Sequence, residues 1–133
     1  AAQAMLSVNV HACTDVTGFG LAGHLKEMIR DSIGVELFAD KIPYFEETEK
    51  FESSGFVPAG LYRNRDFYKD NVVTTRSDFL FDIIFDPQTS GGLLMAIDPA
   101  DREKFERGAI ELGVEYYVIG VFLDEPKGKI ILR

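Results

Sequence analysis

The chain has 133 residues, the size of one domain, and its 46% apolar content with eleven Phe and five Tyr supports a real core and excludes global disorder. A net charge of −8 excludes the basic stripe that a nucleic-acid surface needs, and no apolar run approaches the ~20 residues that span a bilayer. A single cysteine cannot form an internal disulfide, which suits a reducing cytoplasm.

Ala1-Ala2-Gln3-Ala4-Met5-Leu6 reads as a helix already under way, with no capping residue before it. The chain is therefore expected to be a domain of something longer. Val10, His11 and Ala12 lead into Thr14-Asp15-Val16-Thr17-Gly18-Phe19-Gly20-Leu21-Ala22-Gly23-His24, a tight turn that runs into an amphipathic helix. Leu21, Ala22, Leu25, Met28 and Ile29 form one face of that helix, up to about Asp31, and Lys26, Glu27 and Arg30 the other. Gly23 within it costs about 1 kcal/mol relative to Ala, so a close contact is expected there.

Gly34 breaks the pattern, and Val35-Glu36-Leu37-Phe38-Ala39 alternates as a strand. Pro43 opens an acidic helix over Tyr44 to Ser54, ended by Gly55, with Glu46-Glu47-Thr48-Glu49 as a solvated face. Residues 55–76 read as a long loop with turns at Gly55, Pro58, Gly60 and Asn64. Ser77 caps a short helix that ends before Pro87. Leu93-Leu94-Met95-Ala96-Ile97 is a buried strand, and Asp98-Pro99 starts a helix with Phe105, Ala109 and Leu112 inward and Gly113 as its stop. Tyr116 to Leu123 and Lys129 to Leu132 are expected to form a hairpin about Glu125-Pro126-Lys127-Gly128. The mixture of elements predicts an α+β layered domain.

Two stretches carry chemistry. In the first, glycines let the backbone approach a ligand, a helix N-terminus favours negative charge, and Asp15 could hold a metal ion near phosphates. An Asp before a Gly-rich turn is more often an Asx-turn or cap residue, and Thr14 and Thr17 are ordinarily turn hydroxyls. The density of such residues favours the functional reading. An acidic protein needs a cation to bridge carboxylates to phosphate, which points to magnesium; Asp15 supplies one ligand of several. The second stretch, Asp86-Pro87-Gln88-Thr89-Ser90-Gly91-Gly92, has the hydroxyls and small residues of an anion-facing loop and no Walker ending. Cys13 reads as a small buried thiol rather than a nucleophile paired with His11, and His24 as a packing or capping residue rather than a ligand.

Together, Thr14 to Leu25 and Asp86 to Leu94, with a weaker Pro58-x-Gly60-x-x-Arg63-Asn64 between them, closely resemble selenophosphate synthetase, also called selenide, water dikinase. The resemblance spans essentially the whole chain, as that family's C-terminal domain. It implies an α/β sandwich like the aminoimidazole ribonucleotide synthetase C-terminal domain, distantly ferredoxin-like. It also implies a parent that makes selenophosphate from ATP, selenide and water, releasing AMP and phosphate. Asp15 would be a Mg2+ ligand acting with acidic residues of the N-terminal domain. Thr14, Thr17, Gly18, Gly20 and Gln88, Thr89, Ser90, Gly91 and Gly92 would line the interdomain cleft. The family's Cys or selenocysteine nucleophile, essential Lys and Gly-rich segment lie in the N-terminal part, and Cys13 does not match the nucleophile. Residues 1–133 are thus one domain with no catalytic residue of its own, expected to be inactive alone. Family dimers form largely through the N-terminal domain, so a homodimeric parent and a monomeric fragment are expected. The alternatives are a purine-pathway ligase of the same superfamily and a stand-alone binding module.

Overall fold

The computed structural model describes residues 1–133. After a single helical turn, α1 (Ala2–Met5), the strand β1 (Val10–Asp15) alternates half-buried and exposed positions, the period of a strand covered on one face. It pairs antiparallel with β4 (Leu93–Ile97), Asp15 opposite Leu93 and Cys13 opposite Met95, to make a two-stranded ribbon. Opposed residues share a face. Thr14 and Leu94 therefore look toward the main core, and Cys13, Asp15, Leu93 and Met95 look the other way.

A second sheet has the order β3-β6-β2-β5, built from β2 (Gly34–Leu37), β3 (Val72–Val73), β5 (Gly120–Leu123) and β6 (Ile130–Leu132). The expected hairpin is corrected here. β5 runs antiparallel to β2 while β6 runs parallel to it, so β2 lies between the two strands that the turn connects. That turn wraps the start of β2: the Gly128 amide donates to the Ile33 carbonyl at 2.8 Å, and a Cβ on Gly34 would come within 2.5 Å of the Pro126 oxygen. Placing β2 and β6 at the centre buries Val35, Leu37, Ile130 and Leu132 and leaves neither central strand an open edge. The expected strand from Tyr116 is also shorter, beginning at Gly120.

α2 (Gly20–Ile29) packs Leu21, Ala22, Leu25 and Ile29 on this sheet, together with Phe85, the largest fully buried side chain. A smaller cluster joins Ala4 of α1 to Phe105 and Ala109 of α6 (Arg102–Glu111), against Met95 and Ile97. β4 thus serves both cores through its two faces. Asp98 starts the α6 region as expected, its Oδ1 accepting from the Ala100 amide at 2.8 Å. Leu112, expected inside, is exposed because the chain turns away at Gly113, which has φ +62°.

The largest departure lies in residues 55–76. They hold a ten-residue helix, α4 (Ala59–Tyr68), where a loop was expected. Only Leu61 on it is buried, so the apolar period that marks a helix is missing from its sequence. The acidic helix is confined to α3 (Thr48–Ser53), with Gly55 at φ +81° after it. α5 (Phe79–Ile83) is preceded by Asp78, not Ser77, and no side chain caps it. The α+β layered class holds. No helix is long and apolar enough to cross a membrane.

Candidate functional site

The two motifs lie side by side at one end of the ribbon. The Val16 amide donates to the Gly92 carbonyl at 3.0 Å, and the Gln88 amide donates to the Thr17 carbonyl at 3.1 Å. A Cβ on Gly91 would collide with the Val16 carbonyl oxygen, so the approach requires glycine there. The third, weaker stretch ties the pair together. Asn64 on α4 donates through Nδ2 to the Gly18 carbonyl at 2.8 Å and to the Phe85 carbonyl at 2.9 Å, and a Cβ on Gly60 would come 2.8 Å from the Pro87 ring.

The end of α2 is closed by the protein itself. Gly20 sits at φ +69°, where a Cβ would meet the Phe85 carbonyl carbon at 2.8 Å. Its amide donates to the Thr17 carbonyl, and the Ala22 amide donates to the Ile84 carbonyl at 2.8 Å. Gly23 meets the expected close contact: a Cβ there would lie 2.6 Å from that of Phe19 and 2.9 Å from the Tyr68 ring. Of the residues expected to line the site, Asp15, Gly18, Thr89, Ser90 and Gly92 are exposed; Thr14, Thr17, Gln88 and Gly91 are partly covered, and Gly20 is buried.

Asp15 ends β1 with its carboxylate exposed and without any ion-pair or hydrogen-bond partner. A carboxylate is a hard oxygen donor of the kind magnesium takes. No three His, Cys, Asp or Glu side chains converge to hold a metal in this chain. Cys13 is exposed, which corrects the expected buried thiol: it lies on the ribbon face turned from the main core, where the second core packs on Met95 and Ile97 but does not include Cys13. His11 reaches no closer than 4.0 Å to Asp98 and pairs with no nucleophile.

His24 is buried, as expected of a packing residue, and its Nε2 accepts from the Thr17 amide at 3.0 Å. Glu27, assigned by periodicity to the solvent face, brings Oε2 within 3.4 Å of His24 Nδ1. The i,i+3 spacing of His24 and Glu27 was the available signal for that pair.

Asp86 opens the second motif half-buried. Burial raises its carboxyl above the ordinary value of 3.8, partly offset by Gln88 Nε2 donating to Oδ2 at 2.9 Å. A carboxyl with a raised folded-state pKa contributes stability that is complete below the unfolded value and is lost as pH rises through the folded one. Asp86→Asn keeps an acceptor for Gln88 and removes the buried charge. Its thermal midpoint is expected to exceed that of the parent chain at neutral pH and to match it near about pH 3. A lower midpoint at neutral pH would mean that the ionised form is the one the fold holds.

The whole chain, residues 1–133, matches the family model described as AIR synthase related protein, C-terminal domain. A protein named selenide, water dikinase from Pelobacter propionicus is 41% identical, covering 100% of this chain and 39% of its own length. Similarly named relatives from Clostridium botulinum and Caldanaerobacter subterraneus are 37% and 41% identical, covering 100% and 80% of the chain and 39% and 32% of their own lengths. The chain thus spans about two-fifths or less of these relatives. It belongs to the AIR synthase related protein family, C-terminal domain, and its similarity runs to the selenide, water dikinases.

Proposed function

We propose that this chain is the C-terminal domain of a selenide, water dikinase, an enzyme making selenophosphate from ATP, selenide and water with release of AMP and phosphate. In this reading Asp15 gives one ligand to Mg2+ at a cleft shared with an N-terminal domain. The wall beside it is Thr14, Thr17, Gly18, Gly20 and the loop Gln88 to Gly92. The observation that carries the reading is the pairing of the two motifs through the Val16–Gly92 and Thr17–Gln88 hydrogen bonds, at an end of the ribbon where the Asp15 carboxylate is unpaired and Thr89 and Ser90 are exposed. It occurs in a chain that is similar from end to end to relatives named for this reaction. A bound metal ion would neutralise charge on the ATP phosphates as it develops during transfer.

The nucleophile and nucleotide-covering segment of the family belong to the N-terminal part, so this chain alone is expected to turn over no ATP. The parent is proposed to be a cytoplasmic homodimer joined through that part, the isolated domain being monomeric. Phosphorus NMR of the full-length parent with MgATP and selenide, without oxygen, tests the assignment. A phosphorus–selenium resonance arising with AMP is expected. ADP without that resonance would move the parent to the purine-ligase side of the superfamily.

A further inference from the structure

The helix α3 buries none of its six residues, although a helix that short gains its stability from packing rather than from its own hydrogen bonds. The aromatic side chains on and around it stand in the open. Phe51 is 54% exposed and Phe56 74%, their rings meeting edge to face, and Tyr44 and Phe45 are exposed as well. Between α3, α4 and α5 lies an open cavity of 270 Å³. Phe51, Phe56, Val57, Leu61, Phe79 and Ile83 make its apolar wall, and Glu52, Asp82 and Asp86 are its only charged groups.

Arg65 answers Asp82 at 2.8 Å, whereas the Glu52 carboxylate has no ion pair. Beside it in the chain, Glu46, Glu47 and Glu49 are exposed and unpaired, and Lys50 is the one cation between Tyr44 and Ser54. An apolar hollow with this surplus of negative charge is complementary to an apolar segment that carries lysine or arginine. The groove also adjoins the proposed cleft. Asp86, which opens the second motif, lines it, and Gly60 at the start of α4 abuts the Pro87 ring. Since this chain corresponds to 39% of the Pelobacter propionicus relative, a parent of that length has most of its residues outside it.

We propose that the groove between α3, α4 and α5 docks an apolar, lysine- or arginine-bearing segment of the parent that lies outside this chain. Docking there fixes the N-terminal part beside the second motif and covers Phe51 and Phe56, which gives α3 the packing it lacks alone. This rests on the reading of the chain as one domain of a longer enzyme and names the surface by which that domain is held.

Photocrosslinking in the full-length parent tests the surface, with Phe56 replaced by p-benzoylphenylalanine. The side chain is exposed, so the fold should accept the probe. A product of monomer mass is expected, joining position 56 to a peptide that precedes this chain and contains lysine or arginine. Reversing two charges, Glu49→Lys with Glu52→Lys, is expected to lower its yield about tenfold, because like charges then meet. Glu111→Lys, on α6 and away from the groove, should leave the yield unchanged. A product of dimer mass would give the groove to a second copy, and no product would leave it open; either overturns the proposal. So would a yield that ignores the charge reversal, or a joined peptide without a basic residue. A parent that fails here yet still gives the phosphorus–selenium resonance keeps its assignment and loses only this surface.

Discussion

Replacing Asp15 by Asn in the full-length parent is expected to lower kcat/KM on the order of 10³-fold, about 4 kcal/mol of transition-state stabilisation. The side chain is exposed at the end of β1 and holds no ion pair or hydrogen bond, so the fold should not register the change. Asn keeps the shape and one oxygen but loses the charge that makes a carboxylate a magnesium ligand. Steady-state AMP release and the thermal midpoint, measured on the same preparation, separate the two effects. A drop in activity with an unchanged midpoint is expected. A fully active variant would remove Asp15 from the metal site.

Gly91→Ala is expected to have the largest effect on stability, at about 3 kcal/mol. The added Cβ would run into the Val16 carbonyl oxygen, and a backbone atom cannot swing aside as a side-chain tip does. Relief requires the Gly91-Gly92 segment to move away from Val16, which breaks the 3.0 Å bond between Val16 and Gly92 and separates the two motifs. For a domain of this size the thermal midpoint is expected to fall by about 10 °C. Gly92→Ala is the control, because nothing lies within 4 Å of a Cβ there. Equal midpoints for the two variants would mean that the close approach at Gly91 relaxes without cost.

Much of the site was legible because its signals are local. The glycines of the first motif mark a turn that few other residues can make, and the apolar face of α2 follows within one helical period. Asp98-Pro99 announces the start of the α6 region by the same kind of short-range chemistry. α4 was not legible, although its Asn64 links Gly18 to Phe85 across the site. A helix that buries only Leu61 carries no stripe to read, and Gly60 and Asn64 imitate turn residues. Cys13 was misread for a related reason: strand alternation says which residues share a face but not whether a helix covers it.

By itself the sequence determined the two motifs, the turn into α2, the strands β2 and β4 and the family resemblance, since each depends on residues close together in the chain. Only the tertiary structure decided that β2 separates β5 from β6, that Asn64 and Gly91 join the motifs, and that the Ile84 carbonyl occupies the Ala22 amide at the start of α2. Those outcomes depend on which apolar faces bury one another and which carbonyls then reach which amides. Such pairings join residues dozens of positions apart, and no local period records them.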